Sequence, residues 1–229
     1  MRRVVTSKIY TNTFRSSMKK RLQLTLLLLL STFVMANSSH YNLASECEKK
    51  GDYHCAFEHS QNQLEEDLAL YTEKSIQIAN DYISLSYYAR YLKMHKKALA
   101  YRLKVLEIHK NILGITKIDI ADDYSNIGSI YADLENYDLG LEYYLKALAI
   151  QKETSGHNHP LTALAYNHVG SMYIESGKYS DALPYYFKDL EITKKYKGSD
   201  DPSVKCIESS IYFVQQMMKK ENERKNLAK

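Results

Sequence analysis

Two histidines flank a single asparagine in the segment GHNHP, residues 156–160. Imidazole nitrogens bind metal ions and transfer protons near neutral pH, so this segment is the first place where the chain could do chemistry. We consider three interpretations: a metal site, part of a catalytic centre, or a loop between two helices. A zinc site usually needs three or four ligands, and the segment itself supplies two imidazoles.

The three cysteines are the other reactive side chains. Cys47 and Cys55 are predicted to lie on either side of one turn between two helices. In an exported protein they could form a disulfide, which requires Cα atoms about 4.4–6.8 Å apart. The alternative is that they are two small apolar side chains. Cys206 is left over and is expected to be a free thiol.

Motifs typical of enzymes are missing from the sequence. It contains no G-x-x-x-x-G-K-[ST] loop, no G-x-G-x-x-G, no G-x-S-x-G and no H-E-x-x-H. We therefore predict a protein that is not an enzyme and that has no cofactor and no metal ion.

Composition favours a helical protein of one domain or two small ones. Apolar residues make up 45% of the 229 positions, while 8 Gly and 3 Pro are few turn residues for this length. The net charge of +4 comes from residues 1–36, which hold seven Lys and Arg and no acid; the remainder has 24 basic and 27 acidic residues. Since this remainder has no basic excess, a nucleic-acid partner is not expected.

The start of the chain is similar to an export signal. Residues 18–36, MKKRLQLTLLLLLSTFVMA, combine a short basic start, an apolar run and small or apolar residues before the expected cleavage site. The apolar run of about 15 residues is shorter than the roughly 20 that a membrane-spanning helix needs. We predict cleavage after Ala36 and a periplasmic or secreted protein. An uncleaved membrane anchor is the alternative, and the start could be Met1 or Met18.

A repeat of 42 residues organises the rest of the chain. When Ala79, Ala121 and Ala163 are aligned, six further positions match in all three units. The matching sets are Tyr82, Tyr124 and Tyr166; Leu99, Leu141 and Leu183; Tyr101, Tyr143 and Tyr185; Lys104, Lys146 and Lys188; Leu106, Leu148 and Leu190; and Ile108, Ile150 and Ile192. Each unit is predicted to form two helices, because apolar residues recur at steps of three and four. Gly128 and Gly140 are expected where the two helices approach closely.

These units resemble tetratricopeptide repeats. The resemblance rests on NIGSIYADLENYDLGLEYYLKALAI (residues 126–150) and HVGSMYIESGKYSDALPYYFKDLEI (residues 168–192). The 42-residue length, together with His159-Pro160 before a first helix, is similar to the kinesin-light-chain type. The resemblance implies an all-α, right-handed superhelical solenoid of antiparallel helix pairs, with about four units and a closing helix.

The predicted domain organisation follows from this period. It comprises an N-terminal extension and signal peptide (1–36), a degenerate repeat (37–78), three repeats (79–120, 121–162 and 163–204), a closing helix (205–220) and a charged tail (221–229).

The repeat gives GHNHP a structural explanation. Gly156 aligns with two other glycines at the ends of second helices, where a residue with left-handed conformation ends a helix. Pro160 aligns with Pro202 and suits the first turn of a helix. His159 then lies just before that helix, and a metal site is not expected there.

The resemblance also implies a ligand surface. The first helices of such units line a concave groove that holds an extended peptide. Amide side chains suit a peptide backbone because they offer a donor and an acceptor, and Tyr and Arg are good anchors. The alternative is that these residues form solvated helix faces. The residues expected to line the groove are Asn42, Ser84, Tyr87, Arg90, Tyr91, Asn126, Ser129, Asp133, Asn167, His168, Ser171 and Glu175.

The predicted function is that of an exported, non-enzymatic scaffold that binds a peptide segment or a partner's helix in this groove. One alternative is a cytosolic regulator whose N-terminus is wrongly interpreted; a less favoured one is an enzyme or metal-dependent factor on the same scaffold. The expected partner is another protein. Contact with a membrane is expected only if the signal stays uncleaved.

Overall fold

The computed structural model describes residues 40–227, and nine α-helices make up the regular structure of this part of the chain. Helix α1 is described over residues 40–49. The other helices are α2 (Tyr53–Leu70), α3 (Ile76–Tyr91), α4 (His95–Asn111), α5 (Lys117–Asp133), α6 (Tyr137–Thr154), α7 (Pro160–Glu175), α8 (Tyr179–Lys197) and α9 (Pro202–Leu227). None of the described helices is long and apolar enough to cross a membrane. The predicted signal peptide and its cleavage site lie outside the described residues.

The chain divides into two compact units, Met1–Leu70 and Tyr71–Lys229. The described part of the first unit is the hairpin of α1 and α2. In the second unit each helix packs on the next, from α3 through α9. Consecutive packing of helix pairs is the pattern of a solenoid, in which each unit buries its apolar face on its neighbours. The predicted all-α fold of helix pairs is therefore confirmed, while the division into repeats at residues 79, 121 and 163 stays a prediction.

The turn inside each helix pair has the same hydrogen bonding. A backbone N–H donates to the carbonyl five residues earlier at 2.8–2.9 Å, which is the Schellman arrangement at the end of a helix. One residue of each turn has a positive φ between 57° and 75°. These residues, each 42 positions apart, are Gly51, Lys93, Glu135 and Gly177. The turn therefore follows the sequence period even where no glycine is present.

The segment GHNHP ends α6 and begins α7. Gly156 has a φ of 91°, and Pro160 is the first residue of α7. Nδ1 of His159 accepts a hydrogen bond from the backbone N–H of Leu161 at 3.2 Å and so caps the helix. The interpretation of this segment as a helix stop followed by a helix start is confirmed.

Glycines allow the helices of a pair to approach closely. A Cβ atom on Gly128 would lie 3.0 Å from the ring of Tyr144 and 3.1 Å from the carbonyl oxygen of Gly140, so the predicted close approach is confirmed. A Cβ atom on Gly170 would lie 2.9 Å from the ring of Tyr186. Both tyrosines are buried, and each ring fills the space that a glycine leaves open.

A largely buried cluster of three polar side chains joins α4 to α5. Nδ1 of His109 lies 2.7 Å from Oδ2 of Asp123, and Nη1 of Arg102 lies 3.9 Å from the other carboxylate oxygen. Burial raises the pKa of the Asp123 carboxyl, and the neighbouring His109 and Arg102 oppose that shift. Polar side chains thus link two consecutive helix pairs at a point where the surrounding core is apolar.

Candidate functional site

Five of the predicted groove residues come together on α3 and α5. Tyr87, Arg90 and Tyr91 lie on one side of α3, within one helical turn. Ser129 and Asp133 are one turn apart on α5 and carry the same alignment positions as Tyr87 and Tyr91 in the 42-residue repeat. Because the repeat places equivalent positions of α3 and α5 side by side, side chains from these two helices meet.

Arg90 bridges the two helices. Its Nε donates to Oδ2 of Asp133 at 2.7 Å, and its Nη2 donates to Oγ of Ser129 at 2.9 Å. A guanidinium group holds a carboxylate and a hydroxyl in fixed directions, because its donors form a rigid fork. Arg90 therefore fixes α3 on α5, in addition to presenting charge at the surface.

Two tyrosine rings stand beside this bridge. Tyr87 and Tyr91 are 40% and 50% exposed, although both are large aromatic side chains. Their ring centroids are 4.8 Å apart in an edge-to-face arrangement, and the hydroxyl of Tyr87 donates to that of Tyr91 at 3.3 Å. The pair forms an aromatic surface that is open to solvent.

A cavity of about 470 Å³, which we call the α3–α5 pocket, is lined by Tyr87, Arg90, Tyr91 and Asp133. Lys93 and His95 complete its lining, and Nδ1 of His95 lies 3.6 Å from Oδ2 of Asp133. The sequence did not point to these two residues, because the positions equivalent to Lys93 in the other units hold Gly or Glu, and those equivalent to His95 hold Tyr. The Schellman turn after α3 brings them to the pocket.

Two amide side chains and one serine of the predicted groove already have hydrogen-bond partners within the protein. Asn126 donates to the backbone carbonyl of Asp122 in its own helix at 2.8 Å. Asn167 donates to Oδ2 of Asp189 in α8, also at 2.8 Å. Ser84 donates to the carbonyl of Asn80 in its own helix at 3.2 Å. Their predicted contact with a ligand backbone stays a prediction, and their side-chain donors already have protein partners.

Helix α7 uses two of its predicted groove residues for packing. Ser171 forms a hydrogen bond of 3.0 Å with the hydroxyl of Tyr186 in α8. The ring of His168 lies 5.0 Å from that of Tyr144 in α6, and burial lowers the pKa of His168. Its Nδ1 is buried without a hydrogen-bond partner among the described residues. His168 is therefore best described as a neutral, packed side chain, while Glu175 is exposed near the end of the helix.

The remaining predicted site residues lie in the first unit, and the leftover cysteine, Cys206, lies on α9. Asn42 is exposed on α1. Cys47 and Cys55 are joined by a disulfide, and their Cα atoms are 5.7 Å apart, within the range that such a bond requires. Cys206 is an exposed free thiol on α9.

A second cavity of about 600 Å³ lies between α7, α8 and α9. Its lining is mainly apolar and includes Leu164, Tyr196 and Ile207. The pair of Asn167 and Asp189 forms part of its wall, and burial raises the pKa of the Asp189 carboxyl. Compared with the α3–α5 pocket, this cavity presents few charged groups.

Comparison with known proteins agrees with this architecture. Residues 119–202 match the tetratricopeptide repeat family. No curated protein matches the chain in sequence. A kinesin-light-chain-type protein from Podosopora anserina with nearly identical tetratricopeptide-like repeats superposes with a TM-score of 0.69 at 16% identity, covering 83% of this chain and 90% of that one.

Two bacterial structures are similar as well. BtubC (BKLC) from P. vanneervenii has a TM-score of 0.67 at 19% identity, covering 79% of this chain and 72% of that one. Aspartyl phosphate phosphatase F from Bacillus subtilis has a TM-score of 0.70 at 16% identity, covering 84% of this chain and 48% of that one. At these identities the similarity shows the fold. The chain therefore has a tetratricopeptide-type helical fold, and its residues 119–202 match that repeat family itself.

Proposed function

We propose that this chain is a non-enzymatic scaffold that binds a segment of another protein at the α3–α5 pocket. The observation that carries the proposal is the exposed pair of Tyr87 and Tyr91 beside the bridge of Arg90 and Asp133. Tyrosine and arginine are enriched among the residues that dominate the energy of protein interfaces.

The pocket is suited to binding because its parts are already fixed. Arg90 is held by two hydrogen bonds to α5, and the two tyrosine rings contact each other. A ligand that meets a rigid surface loses less free energy to the ordering of side chains. The solenoid supplies such a surface, because stacked helix pairs hold the side chains of successive first helices side by side.

The charges of the pocket indicate what kind of segment would fit. Arg90 and Asp133 balance each other, and the exposed Lys93 adds a positive charge at the rim. The preferred ligand is a segment with an aromatic or aliphatic side chain that packs on Tyr87 and Tyr91, followed by a carboxylate near Lys93. Such a contact combines apolar burial with charge complementarity.

Selection from a phage-displayed library of random peptides tests this proposal. The full chain should select peptides with an apolar residue next to an acidic one. Binding of these peptides should weaken by about 30-fold or more when both Tyr87 and Tyr91 are replaced by alanine, as expected for loss of a 2 kcal/mol hot spot. Tyr212→Ala is the matched control, since Tyr212 is 63% exposed on α9, away from the pocket lining.

Two outcomes would refute the proposal: no peptide is enriched, or the enriched peptides bind the double variant as tightly as they bind the Tyr212→Ala protein. Circular dichroism of each variant shows whether the helices are intact.

We also propose that the protein is exported. The support is the sequence of residues 18–36, with its basic start and apolar run. The N-terminal sequence of the protein recovered from cells should begin at Asn37. A cytosolic protein that retains Met1 would show that export is wrong.

A further inference from the structure

Three residues that commonly bind metals converge in the hairpin of α1 and α2. Each of Cys47, Cys55 and His59 offers one ligand atom, and these three atoms lie within 4.8 Å of one another. Cys55 and His59 are one helical turn apart on α2, so both side chains point to the same face. Cys47 is buried near the end of α1, and the other two are half-buried.

A second histidine lies beside this group. His40 is on α1, two turns before Cys47, and therefore on the same face of that helix. Its Nδ1 is 3.0 Å from Nδ1 of His59. The hairpin thus brings together two thiols and two imidazoles, although the sequence analysis predicted no metal site.

The separations are close to those of a zinc site. Zinc binds sulfur at about 2.3 Å and imidazole nitrogen at about 2.0–2.1 Å, so neighbouring ligands of a tetrahedral ion are roughly 3.3–3.8 Å apart. The two imidazole nitrogens, at 3.0 Å, are slightly closer than this range. The ligand atoms of Cys47, Cys55 and His59 lie within 4.8 Å of one another, and the two sulfurs, which are bonded to each other in the disulfide, move apart toward this range once the bond is reduced.

We infer that His40, Cys47, Cys55 and His59 form a four-coordinate Zn²⁺ site when both thiols are reduced. The inference is independent of the proposed peptide binding, because all four residues lie in the unit Met1–Leu70. The set is of the Cys₂His₂ type that holds structural zinc.

The surroundings of the four residues support this assignment. The turn between α1 and α2 is fixed, since the backbone N–H of Asp52 donates to the carbonyl of Cys47 at 2.9 Å and its side chain accepts from the N–H of Cys55 at 3.0 Å. Nε2 of His40 lies 3.6 Å from Oε1 of Glu66. A carboxylate at the second nitrogen of a ligating histidine orients the ring and raises its basicity.

The disulfide and the metal site are alternative states of the same hairpin. A cellular dithiol reduces the bond between Cys47 and Cys55 by transferring two electrons and two protons, and is itself oxidised to a disulfide. Zn²⁺ then binds both sulfurs and displaces the two thiol protons. An oxidising compartment favours the disulfide, so the exported protein would hold the disulfide, and the metal site would form in a reducing compartment before export or if the protein is retained there.

Binding of Co²⁺ to the full chain, kept reduced with a phosphine, tests the inference. Tetrahedral Co²⁺ with thiolate ligands has intense visible absorption and a sulfur-to-metal charge-transfer band. We expect both signals at one Co²⁺ per chain, their loss when Zn²⁺ is added, and no charge-transfer band from the oxidised protein. His59→Ala and His40→Ala should each weaken binding by about 10-fold or more. His54→Ala and Cys206→Ser are the matched controls and should bind as the parent chain does.

His59→Cys provides a test that does not depend on loss of binding. It should keep Co²⁺ tetrahedral and strengthen the charge-transfer band, because a third thiolate replaces an imidazole. The inference is overturned if the reduced chain shows no charge-transfer band, or if His59→Ala and His40→Ala bind Co²⁺ as tightly as His54→Ala.

Discussion

Replacement of Asp123 by alanine tests whether the buried contacts of its carboxylate with His109 and Arg102 hold α4 on α5. The side chain of Asp123 is 4% exposed, and that of His109, its partner at 2.7 Å, is 8% exposed. Removal of the carboxylate leaves the largely buried Arg102 side chain without its counter-ion and the buried His109 without its hydrogen-bond partner. Breaking a buried pair in this way costs about 3–5 kcal/mol, a large part of the 5–15 kcal/mol by which folded domains are usually stable.

The assay is urea unfolding of the full chain, followed by circular dichroism of the helices. At a typical slope of about 1–3 kcal/mol per M, Asp123→Ala should lower the unfolding midpoint by about 1 M urea or more. Asp122→Ala is the matched control, because Asp122 is the neighbouring residue of the same type and is exposed. The control should remain within about 0.5 kcal/mol of the parent chain.

A double variant tests whether the stability lost in Asp123→Ala comes from its contact with His109. If that contact is responsible, His109→Ala should lower the free energy of unfolding much less in the Asp123→Ala background than in the parent chain. The reasoning is refuted if Asp123→Ala unfolds at the same urea concentration as Asp122→Ala.

Two further predictions concern α7. Gly170→Ala should destabilise the fold by up to about 2 kcal/mol, because overpacking against Tyr186, 2.9 Å from the new Cβ, outweighs the roughly 1 kcal/mol gain in helix propensity. Higher stability in urea would contradict this. Since burial lowers the pKa of His168, the unfolded chain takes up a proton that the folded chain does not. Stability should therefore fall as the pH drops below about 6.5, and more steeply than in His168→Phe; equal slopes would contradict this.

The period of 42 residues by itself predicted the helix pairs and marked some of the places where a helix ends or begins. Gly156 and Pro160 marked the end of one helix and the start of the next, and Gly128 marked a close approach. Such features depend on spacing along the chain and on backbone conformation, so they can be predicted from local sequence. The aligned apolar positions indicated which helices must stack.

Only the tertiary structure decided which polar side chains remain available to a ligand. Asn126 and Asn167 were both expected to line the groove, yet one donates within its own helix and the other to Asp189. Arg90 could be assigned to solvent or to a partner until α5 was in place, where Asp133 lies 2.7 Å away. These partners are separated by 22 and 43 positions along the chain.

The tertiary structure also decided that the four proposed metal ligands lie close together. No sequence motif links the four ligands His40, Cys47, Cys55 and His59. They lie close together because α1 and α2 pack against each other through one fixed turn. Periodicity determines which face of a helix a residue occupies. The distance between two such faces depends on the packing of both helices and on the side chains between them, and the tertiary structure alone gives that distance.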